Sequence, residues 1–425
     1  MAPEHVSSPS DPVRAAAART ARTAHGRLVA VLAAADGDLE QAEDALADAF
    51  EQALRRWPET GVPDNPEGWL ITVARNRQRD RRRSAAHRTS VALPTEQTTP
   101  SPPGWPGAAL SPRDPFDDLD PDALPDRRLA LLFVCAHPAI DETIRTPLML
   151  QTVLGFDAAE VATAFAVAPA TMAQRLVRAK RRIRDARIPF TVPAREALPG
   201  RLGPVLEAVY GCFALGREGT GRADMVHEAH HLAVTVAALL DGEPEAWGLA
   251  ALITLALARE PARGPGYVPL DEQDTARWDT ALIAEGEEYL RRAGTPRPGR
   301  FQLEAAVQAV HCARAATGHT DWPALCTLYR ALRLLAPTLG TRVALAGAVG
   351  RVDGPSAGLR LLDEVGDGAA SFQPAWAVRA HLLAAAGHVP EALEAYRRAG
   401  ELATDPAVRE FLTRRARAVE HPDRG

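Results

Sequence analysis

The chain has 425 residues, which is enough for two to four compact domains with ample buried core. Aromatic residues make up only 5% of it, while alanine and leucine are abundant, and this composition predicts an all-α fold. The four cysteines are widely spaced, so disulfide frameworks and cysteine-based zinc fingers are not expected. No signal-peptide segment and no run of about 18 apolar residues is visible, so we expect a cytoplasmic protein.

The net charge of −5 hides two concentrated basic segments. Residues 67–88 hold seven arginines against two acids, and residues 171–187 hold seven basic residues against one acid. Lys180 in the second segment is the only lysine of the chain. An acidic protein with two basic segments is typical of one that touches a polyanion at two defined places. Ordinary solvated helix faces give the same pattern, so charge alone leaves both interpretations open.

Proline, glycine and hydrophobic periodicity divide the chain into five predicted segments. They are a flexible N-terminal tail (1–24), a first small helical domain (25–88), a Pro-rich acidic linker (89–123), a second small helical domain (124–187) and a long helical extension (190–425). The linker holds eight prolines, so it cannot build a core. At the end of the extension, residues 372–403 carry the spacing of one tetratricopeptide-like helix pair, which would stack on the preceding helices.

The first domain contains a predicted helix with an acidic stripe. Asp38 with Gln41 forms a capping-box start, and Leu39, Leu46 and Trp57 recur at helical spacing as a buried stripe. The opposite face is either an ordinary solvated surface or a docking stripe for a basic partner helix. Its acidic residues are Glu40, Asp44, Asp48 and Glu51.

The next predicted helix has an apolar start and an arginine-rich end. Asn65 is a suitable N-cap, Pro66 suits the first helical position, and Trp69 and Leu70 anchor the first turns. The second half projects side chains that can bind phosphates and stack on, or hydrogen-bond to, unpaired bases. These candidate nucleic-acid residues are Arg75, Asn76, Arg77, Arg79, Arg81, Arg82 and Arg83.

Residues 157–187 predict a helix-turn-helix. Asp157 with Glu160 forms a second capping box, a short helix ends near Phe165, and Pro169 starts the next helix. Two helices joined by about three residues have the geometry of the DNA-binding motif. Threonine and glutamine near the start of the second helix suit base edges, and its arginines suit phosphates or guanine. A structural hairpin with a basic surface is the alternative. The candidate DNA contacts are Thr171, Gln174, Arg175, Arg178 and Arg182.

Both basic segments resemble parts of one protein family. The run Gly68–Asn76, followed by Asp80 and Arg83, resembles region 2 of sigma-70 factors. Glu160-Val161-Ala162 and Arg178-Ala179-Lys180 resemble the region 4 helix-turn-helix of the same family. The order of the two motifs, with a linker between them, is similar to that of an extracytoplasmic-function (ECF) sigma factor, in the subgroup with a long helical C-terminal extension.

The resemblance implies a promoter-specificity subunit of bacterial RNA polymerase with no catalysis and no cofactor of its own. The arginine-rich helix would then bind the −10 element, the helix-turn-helix would bind the −35 element, and the extension would have a regulatory role with a protein partner of its own. No membrane is implied. A DNA-binding regulator that does not initiate transcription is the alternative from another class.

The resemblance also gives the acidic stripe a role. Ala42-Glu43-Asp44 and Asp48-Ala49-Phe50 resemble the region 2 surface that docks on the clamp helices of the polymerase β′ subunit. Glu40, Asp44, Asp48 and Glu51 are therefore predicted contacts with the polymerase core. Ala47 departs from the family, which usually has a glutamine at this position.

One motif points to an enzyme. His227-Glu228-Ala229-His230-His231 matches the H-E-x-x-H pattern of zinc metalloproteases, in which two histidines bind the metal. A third ligand would have to come from Glu243, Glu245 or Glu260, none of which has a recognisable context. The apolar residues around the motif form an ordinary core stripe, so zinc catalysis is a remote alternative and no metal site is predicted.

Overall fold

The structure is a computed structural model that describes residues 10–89, 124–217, 223–264 and 266–421. Across these ranges the regular elements are all helices and no strand occurs, which confirms the predicted all-α fold. The predicted linker 89–123 lies outside the described residues, apart from Thr89 at its start. The chain divides into two compact units, Met1–Leu215 (unit 1) and Gly216–Gly425 (unit 2).

The helices of unit 1 cover the two predicted small domains in order, together with part of the predicted tail and the first helix of the predicted extension. They are α1 (Ser10–Asp36), α2 (Leu39–Thr60), α3 (Pro66–Thr89), α4 (Leu124–Cys135), α5 (Glu142–Thr152), α6 (Ala158–Ala164), α7 (Pro169–Asp185) and α8 (Pro199–Arg217), the last of which ends two residues past the unit boundary. The N-cap predicted for α2 is confirmed, because the Asp38 carboxylate accepts the Gln41 backbone amide at 3.2 Å. The predicted capping box is only half formed, since the Gln41 side chain donates to the same carboxylate at 3.0 Å and so does not act as an acceptor for the Asp38 amide.

Helix α1 corrects the predicted flexible tail. The sequence predicts a tail over residues 1–24, but α1 begins at Ser10, inside that segment. Consecutive alanines are the strongest helix formers, and the apolar residues Val13 and Ala17, one turn apart, are buried. The small, polar composition of the segment concealed this alanine-based stripe. Residues 1–9 lie outside the described residues.

Helix α1 lies at the centre of unit 1, because it contacts α2, α3 and α4. Every residue from Leu28 to Ala33 is at most 3% exposed. Gly26 allows the backbone of α1 to approach the end of α5, since a Cβ on Gly26 would lie 1.7 Å from the carbonyl oxygen of Val153. The Arg128 guanidinium donates to the same oxygen at 3.3 Å. The two predicted small domains are therefore packed together in unit 1.

Unit 2 is a succession of helices, each in contact with others close to it along the chain. They are α9 (Ala223–Leu239), α10 (Pro244–Leu257), α11 (Thr280–Arg292), α12 (Arg300–Cys312), α13 (Arg314–Thr317), α14 (Trp322–Leu335), α15 (Leu339–Val352), α16 (Pro355–Asp363), α17 (Gln373–Ala385), α18 (Val389–Leu402) and α19 (Pro406–Glu420). Contact between sequential neighbours is typical of stacked helical repeats. The segment 372–403 forms the helix pair α17 and α18, and its tetratricopeptide-like character stays a prediction.

A loop before α11 ties together helices of unit 2 that are distant in sequence. Arg351 of α15 pairs with Asp271 at 2.8 Å. Arg415 of α19 pairs with Glu272 at 2.6 Å. Tyr267 of the same loop packs on Phe411 of α19, with ring centroids 5.1 Å apart. The loop therefore joins the last helix of the array to a segment near its beginning.

We expect Gly26→Ala to destabilise unit 1, because the added methyl group meets a backbone oxygen that no side-chain rotation can move. Overpacking of this kind costs about 1–3 kcal/mol. The variant should unfold at a lower urea concentration, measured by circular dichroism. Gly200→Ala in α8 is the matched control, since a Cβ there meets nothing within 4 Å. Equal midpoints for the two variants would contradict the close approach of α1 and α5.

Candidate nucleic-acid and protein interfaces

The predicted helix-turn-helix consists of α6 and α7. The Asp157 carboxylate accepts the amides of Ala159 at 2.8 Å and Glu160 at 2.7 Å, and the Glu160 carboxylate accepts the Asp157 amide at 2.8 Å. This capping box fixes the start of α6 as the sequence predicts. Ala166 has a φ of 51°, a left-handed conformation that turns the chain sharply between the helices. Pro169 then opens α7.

Helix α7 has an apolar side and a basic side. Met172, Leu176 and Ile183 are at most 1% exposed, and the helix contacts α5 and α6. The opposite side is open to solvent and suits a polyanion. It carries all of the predicted −35 residues, each of which is exposed: Thr171, Gln174, Arg175, Arg178 and Arg182.

Three of these arginines line one groove together with the start of α5. Arg175, Arg178 and Arg182 share a cavity of about 430 Å³ with Asp141 and Thr143. The Thr143 hydroxyl and amide donate to the Asp141 carboxylate at 2.6 and 2.9 Å, and these hydrogen bonds lower the pKa of Asp141. The carboxylate is therefore ionised at neutral pH. The groove combines three cations with one fixed anion, which favours an anionic polymer held in one orientation.

Helix α3 is anchored by its first turns and carries the predicted −10 residues in its second half. The rings of Trp69 on α3 and Trp57 on α2 meet edge to face, with centroids 5.6 Å apart. Asn76 and Arg83 are exposed, whereas Arg75 is half-buried, as is Arg79. The predicted residues thus differ in their access to a ligand.

Three further arginines of α3 are directed at acidic side chains. Arg77 donates to the Asp48 carboxylate at 2.8 Å, and Arg81 donates to the same group at 3.3 Å. Arg82 pairs with Asp36 at the end of α1. The sequence assigns Arg77 and Arg81 to DNA and Asp48 to a protein partner, but the structure brings the two sets of residues together.

Every acidic residue of the predicted polymerase contact has an arginine partner within unit 1. The side chains of Asp44 and Glu51 are still 69% and 59% exposed, whereas those of Glu40 and Asp48 are each 29% exposed. Only half of the stripe is therefore readily accessible. The ion pairs are Glu40 with Arg181 and Arg184, Asp44 with Arg81, Asp48 with Arg77 and Arg81, and Glu51 with Arg55.

A contact that sequence reasoning missed joins α7 to α2. Lys180 donates to both carboxylate oxygens of Glu43, at 2.8 and 2.6 Å. The Lys180 side chain is 7% exposed and that of Glu43 is 23% exposed. Helical spacing could have predicted that Lys180 is buried, because it lies four residues after Leu176 and three before Ile183, on the apolar side of the helix. No sequence pattern identifies Glu43 on α2 as the partner of Lys180.

The zinc alternative finds no support in the structure. The H-E-x-x-H segment lies on α9, where His227 and His231 are exposed. The intervening His230 has Nε2 at 2.9 Å from the Thr254 hydroxyl, and burial lowers the pKa of this histidine. Among the residues that the structure describes, no three histidine, cysteine, aspartate or glutamate side chains are grouped so as to hold a metal ion.

Two of the carboxylates considered as a third zinc ligand have other partners. Glu245 accepts the amides of Phe301 and Gln302 at 3.1 and 3.2 Å, and so caps the start of α12. Glu260 pairs with Arg217 at 3.2 Å and Arg263 at 3.1 Å. Both groups therefore have structural roles in unit 2.

Comparison with known proteins matches two parts of the chain to family models. Residues 21–88 match sigma-70 region 2, and residues 201–294 match a family of unknown function (DUF6596). An uncharacterised protein of Rhizobium meliloti is 34% identical over 387 residues, covering 88% of this chain and 89% of the relative. A protein of Mycobacterium tuberculosis named as a probable ECF RNA polymerase sigma factor, SigI, is 28% identical over 233 residues, covering 49% of this chain and 76% of the relative. No solved structure matches the chain.

The region 2 match covers α2 and α3, which carry the acidic stripe and the arginine-rich segment. The second match begins within α8 and covers the first helices of unit 2. The chain therefore contains a sigma-70 region 2 domain and is homologous to a probable ECF sigma factor, and its helical C-terminal part fits the subgroup of such factors that carries a long helical extension. None of the described helices combines the length and apolar composition that a membrane crossing requires.

Substitution of Asp48 should lower the free energy of unfolding more than substitution of Asp44, although both residues lie in the acidic stripe. Asp48→Asn weakens two arginine contacts between α2 and α3, at 2.8 and 3.3 Å. Because these pairs are partly exposed, we expect a loss of about 1 kcal/mol in urea denaturation. Asp44→Asn is the matched control, since its exposed carboxylate has one arginine at 3.5 Å and should change stability by less than about 0.5 kcal/mol. An equal loss in both variants would contradict a structural role for Asp48.

Proposed function

We propose that the protein is a dissociable specificity subunit that directs bacterial RNA polymerase to promoters and initiates transcription. The observation that carries this proposal is the pairing of a sigma-70 region 2 match with a second basic helix that keeps its predicted DNA residues exposed. A regulator that only binds duplex DNA needs a helix such as α7, but it does not need a sigma-70 region 2. The similarity to a probable ECF sigma factor of Mycobacterium tuberculosis supports the same role.

In this proposal, α7 reads the −35 duplex. Thr171 and Gln174 lie near the start of the helix, where side chains reach base edges in the major groove. Arg175, Arg178 and Arg182 line the groove beside α5 and bind backbone phosphates. The fixed negative charge of Asp141 at the edge of this groove repels phosphates and so limits the orientations that DNA can take.

The second half of α3 traps unpaired bases of the −10 element. The exposed Asn76 and Arg83 can reach DNA without rearrangement. Arg77 and Arg81 first have to exchange the Asp48 carboxylate for a phosphate. Exposed and partly exposed ion pairs contribute little to stability, so this exchange of partners costs little free energy.

The acidic stripe of α2 docks on the clamp helices of the polymerase β′ subunit. Asp44 and Glu51 are exposed enough to make the first contact with a basic surface. Unit 2 modulates the engagement of core or promoter, and its array of helices suits a protein partner. The protein has no catalytic step of its own in this scheme.

Run-off transcription with purified core polymerase tests the proposal. We expect a transcript of defined length only when this protein, core enzyme and a template with a matching promoter are all present. Core enzyme alone and a template with an altered −10 element are the controls. A protein that binds the −35 duplex but yields no promoter-dependent transcript would instead be a DNA-binding regulator.

Arg178→Ala should weaken binding to the −35 duplex and reduce its salt dependence. A phosphate contact contributes about 0.9 to the slope of log affinity against log salt concentration, so the slope should fall by about one. Fluorescence anisotropy between about 50 and 200 mM salt measures this slope. Arg417→Ala in unit 2 removes the same charge from an exposed position of α19 and should leave the slope unchanged. An unchanged slope for Arg178→Ala would remove this residue from the interface.

A further inference from the structure

A cavity of about 510 Å³ lies in unit 2, between the end of α10, the loop before α11 and the start of α19. Small-molecule sites in proteins have volumes of about 300–1,000 Å³. We call it the arginine cavity, because Arg217, Arg259 and Arg263 line it. The cavity shares no residue with the surfaces that the proposed function assigns to DNA and polymerase.

Arg259 carries a buried charge without a carboxylate partner. The residue is 8% exposed, and its guanidinium donates to the Leu255 carbonyl and the Cys312 sulfur, both at 3.2 Å, and to the side-chain oxygen of Gln308. Burial raises the pKa of the Cys312 thiol, so all three acceptors are neutral at pH 7. Within the described part of the chain, no carboxylate forms an ion pair with Arg259. A buried charge is best stabilised by an opposite charge, which this arginine lacks.

The other two arginines of the cavity share one acid. The Glu260 carboxylate pairs with Arg217 at 3.2 Å and with Arg263 at 3.1 Å. The second carboxylate of the lining belongs to Asp405, which accepts the Ala407 amide at 2.8 Å and so caps the start of α19. Three guanidinium groups therefore share the lining with two carboxylates, and the excess charge of the wall is positive. Such a wall favours an anion over a neutral or cationic molecule.

Two neutral side chains of the lining add hydrogen-bonding groups. The Gln273 carboxamide donates to the Val268 carbonyl at 3.4 Å, whereas its own oxygen is buried and accepts no hydrogen bond. Burial raises the pKa of Tyr267, so its hydroxyl stays protonated, and its ring is held against Phe411. An unsatisfied buried acceptor costs free energy that a donor on a ligand would recover. A hydroxyl or amino group beside the charged group of a ligand therefore suits this wall.

We propose that unit 2 binds a small organic anion in the arginine cavity, with its phosphate or carboxylate group held by the arginines and a hydroxyl group directed at Gln273. Phosphate and carboxylate oxygens match the planar donor geometry of guanidinium groups. The ligand supplies the anion that Arg259 lacks and takes the place of Glu260 on Arg263. The site goes beyond the proposed function, because it needs neither DNA nor polymerase.

Occupation of the cavity has a consequence for the helical array. The loop that supplies Tyr267 and Gln273 also pairs with α15 through Asp271 and with α19 through Glu272. These pairs are partly exposed, so they hold the loop only weakly. A ligand bound to both the loop and Arg259 adds a contact with the end of α10 and makes local opening of the loop less frequent.

Three related sugars test the chemistry of the ligand in the full-length protein. Glucose 6-phosphate carries a phosphate, gluconate carries a carboxylate, and glucose is uncharged. By isothermal titration calorimetry we expect one molecule of a charged probe to bind with a Kd of about 1 mM or below, and glucose not to bind. The charged probe with the higher affinity identifies the recognised group as phosphate or carboxylate. No binding of either charged probe at about 10 mM would overturn the proposal. Equal affinity for inorganic phosphate and glucose 6-phosphate would show an adventitious ion only and would also overturn it.

Hydrogen exchange with mass spectrometry locates the bound probe. We expect slower amide exchange in residues 266–274 and 405–409 of the full-length protein, since both segments contribute to the lining. Helix α14 is the internal control and should exchange at an unchanged rate. Protection confined to residues 139–145 and 171–182 would place the anion in the groove between α5 and α7, and would overturn the site in unit 2.

Two substitutions of opposite effect test the role of charge. Arg263→Gln should weaken binding of the charged probe by about tenfold, as expected for the loss of one charged hydrogen bond. Glu260→Gln should strengthen binding by about tenfold, because it removes the carboxylate that competes with the ligand for two arginines. Arg277→Gln removes the same charge from an exposed position of the loop and should leave the affinity unchanged. With all variants folded by circular dichroism, a Glu260→Gln protein that binds no more tightly than the unsubstituted chain would overturn the proposal.

Discussion

The acidic helix α2 is the constraint on which unit 1 depends, because it supplies carboxylates to both basic segments of the chain. Seven arginines occur within residues 67–88, and seven basic residues occur within 171–187. Two such segments repel each other when they are brought into one compact unit. Asp48 binds arginines of α3, while Glu40 and Glu43 bind basic residues of α7. Helix α2 therefore supplies acidic partners to both basic helices of unit 1.

Local chemistry explains why so much of the fold can be predicted from the sequence. Capping residues and buried stripes act over three to four positions, so Asp157, Pro66 and Pro169 locate helix starts without knowledge of the rest of the chain. The N-terminal helix is the exception. Within residues 10–24 its buried face consists mainly of alanines, whose hydrophobic contrast with their neighbours is too small to mark a stripe, and the sequence therefore predicts a tail there.

The exposure of the candidate site residues could be predicted from the sequence for α7, but only in part for α3. Helical periodicity identifies which side of α7 is apolar, and the other side is then exposed, as with Arg178. The same reasoning fails for Arg77 and Arg81, because periodicity places a side chain on a face but does not say what lies opposite. The partner Asp48 is 29 residues from Arg77 in sequence. Lys180 and Glu43 are 137 residues apart, with a proline-rich segment between them, and no local pattern connects them.

Burial separates the ion pairs of unit 1 into two groups with different consequences for binding. Pairs such as Arg77–Asp48 are partly exposed, and an arginine that leaves a carboxylate for a DNA phosphate keeps an anionic partner throughout. The Lys180–Glu43 pair is more deeply buried, with side chains 7% and 23% exposed, and Lys180 lies among the buried residues of α7. Its opening leaves charge unpaired unless another basic group takes Glu43 and water takes Lys180. Under the proposed function, DNA would therefore rearrange the exposed pairs at little cost in free energy, whereas separation of Lys180 from Glu43 would leave a buried charge without its partner.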